Sequence, residues 1–316
     1  MNRLISGTSR LFAGGNACGA LPQAGCLRLG ARELDRTRLT PLCTSFARAF
    51  GSETKDKLKK LMDQADVGSD RVGIGMRGDG TAPRFYKKVS VAEEPGKGWL
   101  ILLDNRKLKT PAKQDLIVPT QALALAICAE WTWQVGKEIR PFTMPMMTLT
   151  STAIDRVPLR RDAIIFELLK FFHTDLACCR DEDGTPLATR QAELLDPVVD
   201  YASKQLGQKI NVSDALMGAE QSEEASAALN KMLRGLCDYE LAALDAVGGV
   251  CKSTLISMNV LNGNISVDDA VAASRIEEDM QMDKWGLVEG GHDIDIAGVR
   301  VGIASPTVFL QLAGRR

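Results

Sequence analysis

The apolar residues of this chain change their spacing once, and that change limits the fold more than any single motif does. Between residues 84 and 119 they come in short runs rich in β-formers: RFYKKVSV (84–91), GWLILLD (98–104) and DLIVP (115–119). Runs of this kind, separated by turn residues such as DNR, are strand signals and fit a small antiparallel meander. Its turns are basic, with Arg106, Lys107, Lys109 and Lys113. Thr120 is a good N-cap, and a helix is expected from Gln121 to about Gln134, ending near Gly136. PFTMPMMT (141–148) holds two prolines and is expected to be extended, because the residue before a proline avoids the helical region. From Leu149 onward the spacing is helical, with breaks expected near Pro158, at 181–186, at Asp196–Pro197, at Ser222 and at Asn262–Gly263. The expected class is α+β: a small β-rich N-terminal domain over residues 51–140, followed by a helical bundle over 141–316.

The first fifty residues differ from the rest. They carry seven arginines, no lysine, and only Glu33 and Asp35 as acids, with Ser, Thr, Gly and Ala between. That composition is expected of a mitochondrial or plastid transit peptide, with a cleavage point near Phe50–Gly51. Removing those seven positive and two negative charges takes the formal net charge from −1 to −6. A chain of that charge is not expected to bind nucleic acid. The longest apolar run, ALALAICA (122–129), is far shorter than a bilayer requires, so no integral membrane segment is expected. Beyond the leader lie Cys128, Cys178, Cys179, Cys237 and Cys251, odd in number and without a C-x-x-C. They read as reduced, mostly buried small hydrophobes of a reducing compartment.

Three local patterns suggest chemistry and lose it on inspection. Gly73, Gly75 and Gly78 form G-x-G-x-x-G, but a dinucleotide site needs a strand before it and a helix after it, and DGTAP follows here. DEDG (181–184) lacks the further acids of a calcium loop and reads as a helix–helix turn. His173 lies close to Cys178 and Cys179, yet it stands at the end of AIIFELLKFFH (163–173), where a histidine meets a helix C-terminus favourably. No cofactor is implied by any of these.

SRIEEDMQMDKWGLVEGGHDID (274–295) holds seven carboxylates and one histidine in twenty-two residues. Ser266 and Asp269 form a capping box before it. At about 100° per residue, one continuous helix would place Val271, Met282 and Trp285 on one stripe and Ala273, Ile276 and Met280 on another. Glu278 falls inside the first stripe, where an unpaired buried carboxylate is costly. It is therefore expected either to pair with Arg275 or to face a partner. An acid/base or metal-dependent enzyme using Glu278, Asp279 and His292 is the alternative, although no H-E-x-x-H or E-x-x-H pair supports it. Met144, Met146 and Met147 could supply adaptable apolar contact for such a partner or fill core gaps.

Taken in order, RFYKKVSV, GWLILLDNRKLKTPAKQDLIVPT, EWTWQ, RPFTMPMMTLTSTAIDRV, HTDLACCR and SRIEEDMQMDKWG resemble the mitochondrial F1-ATPase assembly factors that chaperone the F1 α subunit. The resemblance runs from Arg84 to Trp285. Leu195 departs from it where the family has a tryptophan before Asp-Pro. What the resemblance implies is a non-enzymatic chaperone of the mitochondrial matrix, without a cofactor, with an N-terminal α+β domain and an orthogonal helical bundle. Its client would be the unassembled F1-ATPase alpha subunit, kept from aggregating until the beta subunit binds. The family's acidic position in E-x-x-Q-x-x-x-W-G falls on Glu278. The client-binding residues expected on these grounds are Glu278, Glu277, Gln281, Met282, Trp285, Met144 and Met146.

Overall fold

Short antiparallel strands come first along the chain and helices follow, in an α+β arrangement. The computed structural model describes residues 77–134, 136–215 and 218–315. The leader at 1–50, the segment 51–70, Gly73 and Gly75 lie outside them. Strands β2 (Val89–Glu94) and β3 (Gly98–Leu103) pair in register from Val89↔Leu103 to Glu94↔Gly98. On the other edge β3 pairs with β4 (Arg106–Lys107) and β5 (Ile117–Val118). Asp104 and Asn105 both adopt positive φ in the two-residue turn between β3 and β4, the conformation that matches strand twist in tight hairpins. β1 (Ala82–Pro83) and β6 (Glu138–Ile139) make a separate two-stranded ladder. Gly98 is required: a Cβ there would lie 2.5 Å from the Val118 carbonyl oxygen, on the pairing edge of β5.

Helix α1 (Gln121–Thr132) starts where expected, with the Thr120 hydroxyl accepting from the Leu123 N–H. It buries Leu123, Ala124, Ile127 and Trp131 against β2 and β3. PFTMPMMT is not extended. Pro141–Thr143 is a 3-10 turn and Pro145–Ser151 is helix α2. Proline suits the first position of a helix, where its missing N–H would have no partner, and the non-helical residue before it is Met144. A distant carboxylate supplies the cap: Glu130 of α1 accepts from the N–H groups of Met146 (2.7 Å) and Met147 (2.9 Å). Burial raises the Glu130 carboxyl and those two donors oppose the rise.

A π-helical segment, Thr152–Arg156, joins α2 to α3 (Val157–His173). Then come α4 (Pro186–Leu206), α5 (Glu223–Gly235), α6 (Asp238–Cys251), α7 (Thr254–Leu261), α8 (Val267–Ser274), α9 (Ile276–Trp285) and α10 (His292–Leu312). The expected break at Asp196–Pro197 does not occur. Interior proline costs a helix about 3 kcal/mol, but Leu195, Val198, Val199 and Ala202 are all buried around it and hold α4 together. The Ser222 cap, the turn at 181–184 and the end at Asn262 fall where the sequence placed them. His173 ends α3, and its Nδ1 accepts from the Gln221 N–H. Cys178 and Cys251 are buried among apolar side chains, while Cys128, Cys179 and Cys237 are half-buried; all five are free thiols. No helix among the described residues is long and apolar enough to cross a membrane.

α7 lies at the centre, buried from Thr254 to Val260. Its polar groups are therefore satisfied inside the protein. Asn259 donates to the carbonyls of Val198 and Leu255. Ser253 caps the helix by accepting from the Ile256 N–H and donates to Asp175, which also accepts from the N–H groups of Ala177 (2.9 Å) and Leu255 (3.1 Å). Burial pushes the Asp175 carboxyl up from 3.8 to about 6, against the pull of those donors. The folded chain thus holds this proton more tightly than the unfolded one. The stability linked to it is present below about pH 4 and declines as the pH rises towards 6. Asp175→Asn has no such titration. The stability difference between the native chain and Asp175→Asn should move against the native chain by up to roughly 3 kcal/mol between pH 4 and pH 7. Urea unfolding of both proteins at the two pH values measures it, and an unchanged difference would refute the assignment.

Candidate functional site

The acidic stretch does not lie on one continuous helix. α8 ends at Ser274, Arg275 takes φ −122° and ψ 15°, and α9 begins at Ile276. The Ser266–Asp269 capping box is present at the start of α8. The non-helical residue resets the helical phase, so the stripe joining Val271 to Met282 and Trp285 does not exist. Val271, Ala273, Ser274, Arg275 and Ile276 are buried, whereas α9 beyond Ile276 turns progressively outward.

Arg275 explains the break. It is 3% exposed, and a buried guanidinium needs carboxylates around it. It pairs with Asp279 (3.6 Å) in the first turn of α9 and with Asp295 of α10. It does not pair with Glu278, which was one of the two expectations for that carboxylate. Glu278 instead lies 3.7 Å from the Lys252 ammonium, with its side chain 40% exposed. Arg190 of α4 holds the outer side of the helix through Asp279 (3.9 Å) and Asp283 (3.3 Å). Three cations from three elements thus fix α9, and Glu278 is a partly exposed residue and not an acid sunk in an apolar stripe. The exposed Arg190–Asp283 and Lys252–Glu278 pairs contribute about 0–1 kcal/mol each.

The other expected contact residues divide. Glu277 and Gln281 are exposed and Met282 is half-buried. Trp285 is 72% exposed, with the Lys284 ammonium 5.3 Å from its ring centre. Met144 and Met146, by contrast, are 2% and 7% exposed and belong to the core. They do not lie on the surface as expected: the Glu130 cap starts α2 at Pro145, and Met144 and Met146 are buried there. The sequence reading missed Leu287, Val288 and Ile294, all exposed and apolar, just beyond α9. The visible signal was a pair of aliphatics set among glycines in WGLVEGGHDI, a place where no core-directed periodicity accounts for them. His292 Nδ1 accepts from the Val288 N–H, within its own turn. Gly78 and Gly80 lie in a turn before β1, and no helix follows them.

Lys252 occupies the left-handed region at φ 53° as the C-cap of α6. That conformation costs a side-chain-bearing residue roughly 1 kcal/mol and suits glycine. Lys252→Gly should therefore raise the stability of the folded chain by roughly 1 kcal/mol, measured as a denaturant midpoint, even as it leaves Glu278 without its cation. A loss of stability on this change would mean that the Lys252–Glu278 pair matters structurally.

Comparison with known proteins gives a family, solved structures and named relatives. Residues 83–203 match the family model described as ATP12 chaperone protein. The crystal structure of Atp12 from Paracoccus denitrificans aligns with a TM-score of 0.67 at 32% identity, covering 73% of this chain and 98% of that one. The Atu1473 protein of Agrobacterium tumefaciens aligns with the same TM-score at 31% identity, over 73% of this chain and 86% of its own. The mitochondrial Atp12 proteins of Schizosaccharomyces pombe and Saccharomyces cerevisiae are 27% identical over 237 residues and 26% identical over 263. Those matches span 72% and 70% of this chain, and 81% of each relative. Strand order, helical order and these matches lead to one conclusion: the chain belongs to the ATP12 chaperone family.

Proposed function

We propose that this chaperone acts in the mitochondrial matrix on the F1 sector of ATP synthase, holding the unassembled alpha subunit until the beta subunit replaces it. Chaperone activity follows from the family; the enzyme reading of Glu278, Asp279 and His292 gives way, because the family is one of chaperones. The mitochondrial relatives support the compartment. The client, the matrix and the contact residues are inferred from the resemblance and from α9.

The observation that carries it is the exposed apolar group at Trp285, Leu287 and Val288, next to a helix whose acids are held by weak external pairs. A subunit awaiting its neighbour exposes apolar surface and aggregates through it. Trp285, Met282, Leu287 and Val288 would cover such a surface. Glu278, Glu277 and Gln281 would select a client with basic and polar groups opposite, which governs specificity more than affinity. An interface of about 1,600 Å² at roughly micromolar affinity, about −8 kcal/mol, would protect the client and still yield to the beta subunit.

Trp285→Ala removes an exposed side chain and should leave folding intact while lowering capture of F1 alpha subunit by at least about tenfold, as expected of an aromatic anchor. Glu278→Lys should lower it further and Glu278→Gln less. Co-purification of the mature chain with unassembled alpha subunit reads all three. Full capture by every variant would move the client face away from α9.

A further inference from the structure

The basic turns of the sheet take no part in α9, and beside them the surface opens into two cavities. One has a volume of about 640 Å³ and the other about 550 Å³. Phe85, Lys109 and Trp131 line both, so the two are compartments of one groove. The larger compartment is walled by Ile139, Pro141 and Met147 on one side and by the π-helical segment with Asp155 and Arg156 on the other.

Two polar groups in this lining have no partner among the described residues. The Trp131 indole N–H is buried and unpaired, and so is the Ser151 hydroxyl. Trp131 is held rigidly: Tyr86 meets its ring edge-on at 5.4 Å and donates its hydroxyl to the Trp131 carbonyl oxygen. Both polar atoms are closed off from the groove, so the lining presents the apolar ring of Trp131 to an incoming chain.

The charge in the groove has one sign available. Its carboxylates are engaged: Asp104 accepts from the N–H groups of Lys87 and Lys88, and Asp155 from the Thr110 hydroxyl and the Ala112 N–H. Lys107 is paired with Glu94, and Lys109 more loosely with Asp115 at 3.6 Å. Arg106 and Arg156 have no ion pair among the described residues.

We propose that this groove binds an extended acidic segment of a protein partner. A large apolar side chain of that segment fills the larger compartment beside the Trp131 ring, and a flanking carboxylate meets Arg156 or Lys109. Two adjoining compartments that share Phe85, Lys109 and Trp131 suit several consecutive residues better than one compact molecule. The site is built from the sheet, α1 and the π-helical segment, and it stands whether or not the client of α9 is the alpha subunit.

The test uses the full chain and fluorescein-labelled Gly/Ser peptides carrying Asp-Phe-Asp, Lys-Phe-Lys or Asp-Ala-Asp at the centre. Anisotropy should show Asp-Phe-Asp binding at least about tenfold more tightly than either of the others. The Trp131 indole N–H resonance, assigned with Trp131→Phe, should move on binding. Arg156→Glu combined with Lys109→Glu should reverse the preference towards Lys-Phe-Lys; if that pair fails to fold, Arg156→Gln should weaken Asp-Phe-Asp by about fivefold. Equal affinity for the acidic and basic peptides, a stationary Trp131 resonance, or no binding of Asp-Phe-Asp would each overturn the proposal.

Discussion

A helix buried on every side cannot give its free N–H groups to water, and this requirement organises the bundle. α7 meets it with Ser253 and with Asp175, a carboxylate delivered from the end of α3 across nearly eighty residues of chain. The arrangement ties three things to one point: the end of α3, the start of α7 and the turn at Lys252 that precedes it, whose carbonyl accepts from the Leu176 N–H. α8 and α9 leave from the far end of α7. The position of the exposed acidic helix therefore descends from a buried carboxylate that never touches it.

The same device recurs where the sheet meets the helices. Glu130 reaches from α1 to cap α2, and Asp155 reaches from the π-helical segment to the loop after β4. Thr120 caps α1 and also donates to the Leu312 carbonyl, near the end of α10. Each of these bonds joins parts far apart in sequence, and together they let one continuous core run from Tyr86 to Ala313. Short strands with few residues in the ladder gain much of their order from such cross-links.

What could be read from the sequence follows this division between local and distant bonds. Thr120, Ser222 and Ser266 cap through the N–H groups three residues on, and the Asp104–Asn105 turn is chosen by its own φ values, so all were legible in place. PFTMPMMT was misread because its cap is Glu130, eleven or more residues upstream. The helix through Pro197 was misread because its stability comes from burial on neighbours. The break at Arg275 exists to give a buried guanidinium two carboxylates, one of them on α10. At the candidate site, Glu278, Gln281 and Trp285 were singled out by their resemblance to a family pattern; helical phase offered Glu278 either Arg275 or a partner protein, and its ion pair is with Lys252. Leu287, Val288 and Ile294 were missed because exposure is a property of what fails to pack against a residue, and no residue's own identity states it.

The pairing of Glu278 with Lys252 has a kinetic side. A basic group on the proposed client would compete at Glu278 with an ammonium already there, so one exposed ion pair would be exchanged for another. Such an exchange adds little net attraction, and added salt weakens the old pair and the new one alike. Ionic strength should then tune this helix far less than it tunes an ordinary charged interface. On departure of such a client, Lys252 would return to the carboxylate, and the empty helix would carry its own placeholder until the next encounter.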